Sequence, residues 1–232
     1  YLEKAVRENK SITEWTRVDE AYEAALHAFI VHTMADEEFM RDVESFVARV
    51  QLPSRLNSLT QVCIKLTAPG VPDIYQGCEL WDLSLVDPDN RRPVDFAHRA
   101  KLLDELQQLT PEQILARMDE GLPKLWLIQT ALHFRGERPD LLGSDADYVP
   151  LKAEGARAGH AVAFVRGGGA AVIVPRLTAQ ILDGTRLDFG DTHISLPAGG
   201  WRSRFERERR FSGSVPLNEL LRTVPFALLE KE

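Results

Sequence analysis

Residues 69–77, PGVPDIYQG, constrain the fold of this chain more than any other stretch. Two prolines and two glycines fence in an apolar run only three or four residues long. That run is too short for a helix and is bounded by breakers, so the spacing predicts a strand. A single strand cannot satisfy its own main-chain N–H and C=O groups and must pair with others. The first 143 residues contain no second strand-like run. A lone strand between two helices looks like one βα unit of a parallel barrel. A complete barrel needs about 250 residues, more than this region holds, so the rest of the barrel is expected upstream. The chain also opens at Tyr1, without a Met and inside a helical pattern (YLEKAVREN), as a piece of something longer would.

The surrounding residues read as helices. In DEAYEAALHAFIVHTM, Tyr22, Ala25, Phe29 and Ile30 recur at helical spacing on one face. Asp36 can cap a second helix, with Phe39, Val43, Phe46, Val47 and Val50 as its expected buried stripe. Pro53 suits a first helical turn and is expected to open a third helix, which must stop at Pro69-Gly70. Beyond a long acidic loop over 77–93, DFAHRAKLLDELQQL places Phe96, Leu102, Leu103 and Leu106 on one face. Thr110-Pro111-Glu112-Gln113 has the form of a cap and first turn. A last helix is predicted from about Pro123 to just before Pro139.

Past Gly143 the period changes. DYVPL, HAVAFVRG, AAVIVPR, TRLDFG, HISLP, WRSRFER and VPFALLEK are short, β-rich runs separated by Gly, Pro and Asp-Gly turns. The expected fold is therefore an α+β chain in two parts. Residues 1–143 are a helical region holding one βα unit of a parallel barrel, and residues 144–232 a C-terminal antiparallel β-sandwich. The arginine-rich WRSRFERERRFSG balances its cations with glutamates and reads as a solvated hairpin rather than an anion site.

Composition excludes several classes. The 232 residues are 44% hydrophobic and 27% charged, the proportions of a globular protein. A net charge of −7 argues against nucleic-acid binding, which needs clustered Lys and Arg. No apolar run approaches the roughly 18–20 residues of a membrane span. The two cysteines, Cys63 and Cys78, have no His or Cys at metal-ligand spacing, so neither a metal nor a disulfide framework is expected. A reducing cytoplasm is the expected compartment.

In a parallel barrel, side chains at the C-terminal ends of strands and in the loops that follow face the active site. Here those are Tyr75, Gln76, Glu79 and Trp81, then Asp87, Asp89, Arg91 and Arg92. Aromatic rings beside carboxylates and amides suit sugars, whose C–H faces stack on rings while their hydroxyls hydrogen-bond. Each residue also has a plainer reading. Asp87-Pro88-Asp89-Asn90 can be a turn, the arginines can brace the loop through neighbouring acids, and Trp81 can be a packing anchor.

The whole stretch PGVPDIYQGCELWDLSLVDPDNRRPVDF resembles the eighth barrel strand and following loop of the α-amylase superfamily. More narrowly, it is similar to the maltooligosyl trehalose synthases. KAVRENKSITEW, KLWLIQTALHFRGERPDLL, Tyr148-Val149-Pro150-Leu151 and VPFALLEK fit that family more loosely, and Cys78 stands where the family usually has Thr.

The resemblance implies intramolecular transglucosylation of a maltooligosaccharide, moving its reducing-end glucose from an α-1,4 to an α,α-1,1 linkage without an external cofactor. It further implies retaining chemistry, with an Asp nucleophile and a Glu acid/base about 5–5.5 Å apart. Those carboxylates belong to barrel strands that precede this chain, so no catalytic residue is expected within it. The resemblance assigns Arg92, and less directly Arg91, to the acid-pairing position of a DN-x-R string at the closed end of a glucose pocket. Gln76, Glu79, Trp81, Asp87 and Asp89 become sugar contacts or loop braces. Two other readings remain: a hydrolase of the same superfamily, and a non-catalytic carbohydrate-binding module using the β region.

Overall fold

The computed structural model describes all residues, Tyr1–Glu232. Helices occupy the first part: α1 (Leu2–Asn9), α2 (Glu20–Ala35), α3 (Glu37–Thr67), α4 (Phe96–Leu106), α5 (Pro111–Ala116), α6 (Leu122–Glu137) and α7 (Pro139–Leu142). Strands follow: β1 (Tyr148–Leu151), β2 (Ala153–Glu154), β3 (Ala161–Arg166), β4 (Ala170–Pro175), β5 (Leu182–Asp183), β6 (Arg186–Leu187), β7 (His193–Ser195), β8 (Trp201–Ser203), β9 (Arg210–Phe211), β10 (Ser214–Pro216) and β11 (Ala227–Lys231), with the short α8 (Leu217–Leu220) before the last. No helix is long and apolar enough to cross a membrane.

The chain forms two compact units. One comprises Tyr1–Gln51 and Asp82–Val94, the other Leu52–Trp81 and Asp95–Glu232. The division falls inside α3.

In the larger unit a six-stranded antiparallel sheet runs in the order β1-β3-β4-β11-β8-β9, with a second sheet β10-β7-β2 and a β5-β6 hairpin. Strand β4, AAVIVP, is buried along its whole length, and the period of two divides it between two cores. Ala170, Val172 and Val174 face Leu59, Cys63, Leu66, Leu127 and Phe134 of α3 and α6. Ala171 and Ile173 face the other way, towards Ile194, Val215 and Trp201. A third cluster joins Leu80 to Leu102, Leu106, Ile114, Leu122 and Leu125. The cap read at Thr110 is present as a full capping box with Gln113.

Three expectations are corrected. The strand predicted at 71–76 pairs with nothing and forms no ladder, because this chain supplies no neighbouring strand for its main-chain groups. Pro53 does not open a helix but lies buried within α3. The downstream face of Leu56, Leu59, Val62, Cys63 and Leu66 is buried on both helical and sheet neighbours, which carries the helix through the one hydrogen bond proline removes. The stripe of Phe39, Phe46, Val47 and Val50 is exposed rather than buried, as is Phe29. Periodicity places these residues on a face, and nothing within the smaller unit covers it.

Candidate functional site

The eight candidate residues fall into both units. In the larger one, the main chain leaves α3 through Pro69-Gly70 and reaches Tyr75 and Gln76, both exposed. A turn then closes with the Cys78 amide donating to the Tyr75 carbonyl at 3.0 Å. Glu79 folds back on this turn, accepting from the Gly77 amide at 3.0 Å and from Arg99 Nε at 3.0 Å. Arg99, on α4, also donates to the Gly77 carbonyl at 2.8 Å. Glu79 therefore braces the turn. Trp81 is anchored too: its Nε1 donates to the Met118 carbonyl at 2.5 Å. The buried Lys124 donates to the Leu80 carbonyl at 2.9 Å and lies 5.7 Å from the Trp81 ring centroid, a cation–π contact.

In the smaller unit, residues 82–94 form a loop whose acids are all engaged. The Asp89 carboxylate accepts from the Leu85 amide at 2.7 Å and pairs with Arg92. Asp87 pairs with Arg91 and with Lys4 of α1, whose ammonium also reaches the Asp87 carbonyl at 3.1 Å. Lys4 above all, and then Arg91, hold the Asp87 carboxyl below its ordinary range. The Leu85 amide, followed by Arg92, does the same for Asp89. Both acids are thus firmly ionised, as loop braces need and as a proton-donating acid would not be. Arg91 and Arg92 remain largely exposed, their side chains 69% and 73% accessible.

A second network holds the smaller unit. Arg7 donates from Nε and Nη2 to the two Glu23 oxygens at 2.8 and 2.7 Å. Glu23 accepts further from Thr13 Oγ1 at 2.7 Å, and Thr13 in turn accepts from the Asp19 amide at 3.0 Å. These bonds, with Arg7 the largest contributor, pull the Glu23 carboxyl down to about 2. The Arg7 guanidinium lies 5.0 Å from the Trp15 ring centroid. Beside it, Val6, Leu26, Ile30 and Leu85 line a cleft of about 460 Å³.

The sequence reading placed the acids and arginines of the loop but missed what holds them. Asp87–Arg91 and Asp89–Arg92 are four and three residues apart and could be read locally. Lys4 and Arg99 lie 83 and 20 residues from their carboxylate partners, and no local signal marks them. Trp201, Phe205 and Phe211 of the β region are buried, so they belong to its core and offer no ring to a sugar. The arginines of WRSRFERERRFSG are largely in ion pairs, as charge balance predicts, Arg204 with Glu230 at 3.0 Å and Arg209 with Glu206 at 2.8 Å among them. Those four side chains are only 13–19% accessible, so the hairpin is half-buried rather than solvated.

No family model matches the chain. A Mycobacterium tuberculosis protein, provisionally named maltooligosyl trehalose synthase, is 34% identical over 232 residues, which is 100% of this chain and 28% of that protein. The solved structure of maltooligosyltrehalose synthase from Arthrobacter ramosus aligns with a TM-score of 0.84 at 34% identity, covering 99% of this chain and 29% of that one. A hypothetical maltooligosyl trehalose synthase from Sulfolobus tokodaii aligns at 0.72 and 27% identity, over 98% and 28%. The fold and these likenesses set the chain beside the maltooligosyl trehalose synthases. All of it aligns with part of those proteins, and the resemblance read from PGVPDIYQGCELWDLSLVDPDNRRPVDF is borne out. The chain spans a little over a quarter of the length of these relatives, 28–29%, in keeping with a C-terminal portion.

Proposed function

We propose that this chain is the C-terminal part of a maltooligosyl trehalose synthase. The observation that carries the reading is identity of 34% sustained across all 232 residues. The longer protein converts the reducing-end α-1,4 linkage of a maltooligosaccharide to α,α-1,1 by intramolecular transglucosylation, in the cytoplasm and without a cofactor. Its nucleophile and acid/base lie on barrel strands outside this chain.

On this reading residues 71–76 become a barrel stave once neighbouring strands flank them. The β region from about residue 144 is a sandwich-like C-terminal domain. The loop over 82–92, in the smaller unit, supplies one wall of a glucose pocket. Arg92 is the cation of that wall: its exposed planar fork, tethered at one end by Asp89, can present its remaining donors to a carboxylate at the pocket's closed end. Arg91, Asp87 and Asp89 hold the loop in shape, while Tyr75 and Gln76 offer a ring and an amide to the sugar. Glu79 and Trp81 fix the turn from which they project. Isomerisation rather than hydrolysis further requires that released glucose be retained and water kept out.

The test is to incubate the longer protein, and separately the 232-residue chain, with maltopentaose. The longer protein is expected to remove reducing ends while releasing no free glucose, and the isolated chain to leave the substrate unchanged. New reducing ends would make the protein a hydrolase. Trehalose-capped product from the isolated chain would overturn the placement of the catalytic acids.

A further inference from the structure

Arg166, the last residue of β3, is completely buried and forms no ion pair. Its donors go only to main-chain carbonyls: Nη1 to Thr67 at 2.8 Å, Nη2 to Gly143 at 2.8 Å and Ala146 at 3.3 Å, and Nε to Asp147 at 3.1 Å. Gly167 makes the approach possible. It adopts φ +53°, and a Cβ there would lie 2.7 Å from Leu141 Cα, so the turn after β3 presses directly on α7.

A second arginine serves the same helix end. Arg135, on α6, donates to the carbonyls of Leu66 at 3.2 Å and Gly70 at 2.9 Å. Lys65 reaches the Asp73 carbonyl at 2.8 Å. Three cations thus converge on the carbonyls of residues 66, 67, 70 and 73. The last carbonyls of a helix lack intrahelical donors and carry its negative end, so they suit cations.

Stability alone does not account for Arg166. A buried charge without a carboxylate is costly to desolvate, and well-packed apolar residues often replace buried ions at no loss. Burial, with neighbouring Arg135 adding to it, pulls the guanidinium below its ordinary value, so the two cations oppose rather than support one another. What the pair does achieve is geometric. Residues 71–76 have no ladder of their own, so the chain's exit from α3 is fixed by side chains reaching from β3 and α6.

We infer that Arg166 and Arg135 are positioning residues: by fixing the exit from α3 at Leu66, Thr67 and Gly70 they set where the segment Tyr75–Trp81 begins, which on the synthase reading gives the β region a part in substrate binding without touching substrate. The inference rests on the proposed synthase reading only for its kinetic consequence.

Two measurements test it, amide exchange and kinetics. The Gly77 and Cys78 amides, bonded to Glu79 and Tyr75, report the segment directly. In the 232-residue chain, Arg166→Met is expected to speed their exchange about tenfold while leaving β4 and β11 protected, since local opening is graded across a structure. Arg166→Lys, which retains a cation, should recover part of that protection. In the longer enzyme, Arg166→Met should lower kcat/KM for maltopentaose about tenfold, mostly through KM, the signature of lost substrate binding. If Arg166→Met does not fold, half-buried Arg135→Gln carries both measurements, with an expected change of about threefold. Unchanged exchange at Gly77 and Cys78 in a folded variant overturns the inference. An inactive wild-type longer protein would instead overturn the synthase reading, while exchange still decides the positioning role.

Discussion

The two compact units treat their apolar side chains in opposite ways. The larger buries its own: Phe134, Leu127, Val172 and Leu228 lie fully inside one cluster, and Trp201 and Leu229 inside another. The smaller leaves Phe29, Phe39 and Phe46 in solvent, and neither α1 nor α2 has a buried residue. Its cohesion comes from polar groups instead, through Arg7–Glu23–Thr13 and through Lys4 on Asp87. Helical spacing gathers apolar residues onto a face, but burial depends on what lies opposite. Only the larger unit has a sheet to place there.

Core truncation should separate the units most clearly. Phe134 is completely buried, with the Arg204 guanidinium 4.7 Å from its ring centroid. Phe134→Ala is expected to cost about 3–5 kcal/mol in urea unfolding, through lost burial and the cavity left behind. A loss below about 1 kcal/mol would mean that this core packs no better than the exposed helices.

The polar unit should in turn be the acid-sensitive one. Glu23 sits at about 2 when folded against an ordinary value of 4.5. A carboxylate depressed in the folded state stabilises fully above its unfolded pKa and loses that contribution as pH falls through the folded one. The Trp15 indole resonance, beside Arg7, should therefore shift between pH 4.5 and 2 while the Trp201 resonance holds. In Glu23→Gln the Trp15 transition should vanish. Its persistence would place the acid sensitivity elsewhere.

Helix capping offers a smaller contrast. In α5 the Thr110 hydroxyl accepts from the Gln113 amide at 3.3 Å, and Gln113 Oε1 accepts from the Thr110 amide at 2.9 Å. Thr110→Ala should cost about 1 kcal/mol in the larger unit. Thermal unfolding should register it there and leave the Trp15 resonance unmoved.

How far the sequence discloses the molecule follows the same division. TPEQ disclosed α5 because both halves of its capping box are three residues apart. AVAFVR and AAVIVP disclosed β3 and β4 because continuous apolar runs between glycines leave few alternatives. Of the four two-residue strands, β6 falls within the run TRLDFG, while β2, β5 and β9 lie below what periodicity can register, since neighbours rather than their own residues define them. PGVPDIYQG disclosed its family by its residues, yet misdirected the local structure, because a strand is a property of a pair. At the loop, the short-range pairs of Asp87 and Asp89 were legible. The long-range holds of Lys4, Arg99 and Arg166 depend on tertiary placement and were not.

The smallest expected effect bears most directly on what covers the exposed face. Phe46 is 55% accessible, and its only ring contact is Arg49, whose guanidinium lies 5.8 Å from the centroid. Surface substitutions away from packed features usually stay within about 0.5 kcal/mol. Phe46→Ser in the 232-residue chain should therefore leave the unfolding midpoint almost unchanged at any protein concentration. A loss above about 1 kcal/mol that grows with concentration would show the face buried against a second copy, because association stabilises by mass action. The same substitution in the longer protein separates a face that stays open from one that another part of the protein covers: only in the second case should it cost what a buried phenylalanine costs, about 3 kcal/mol or more.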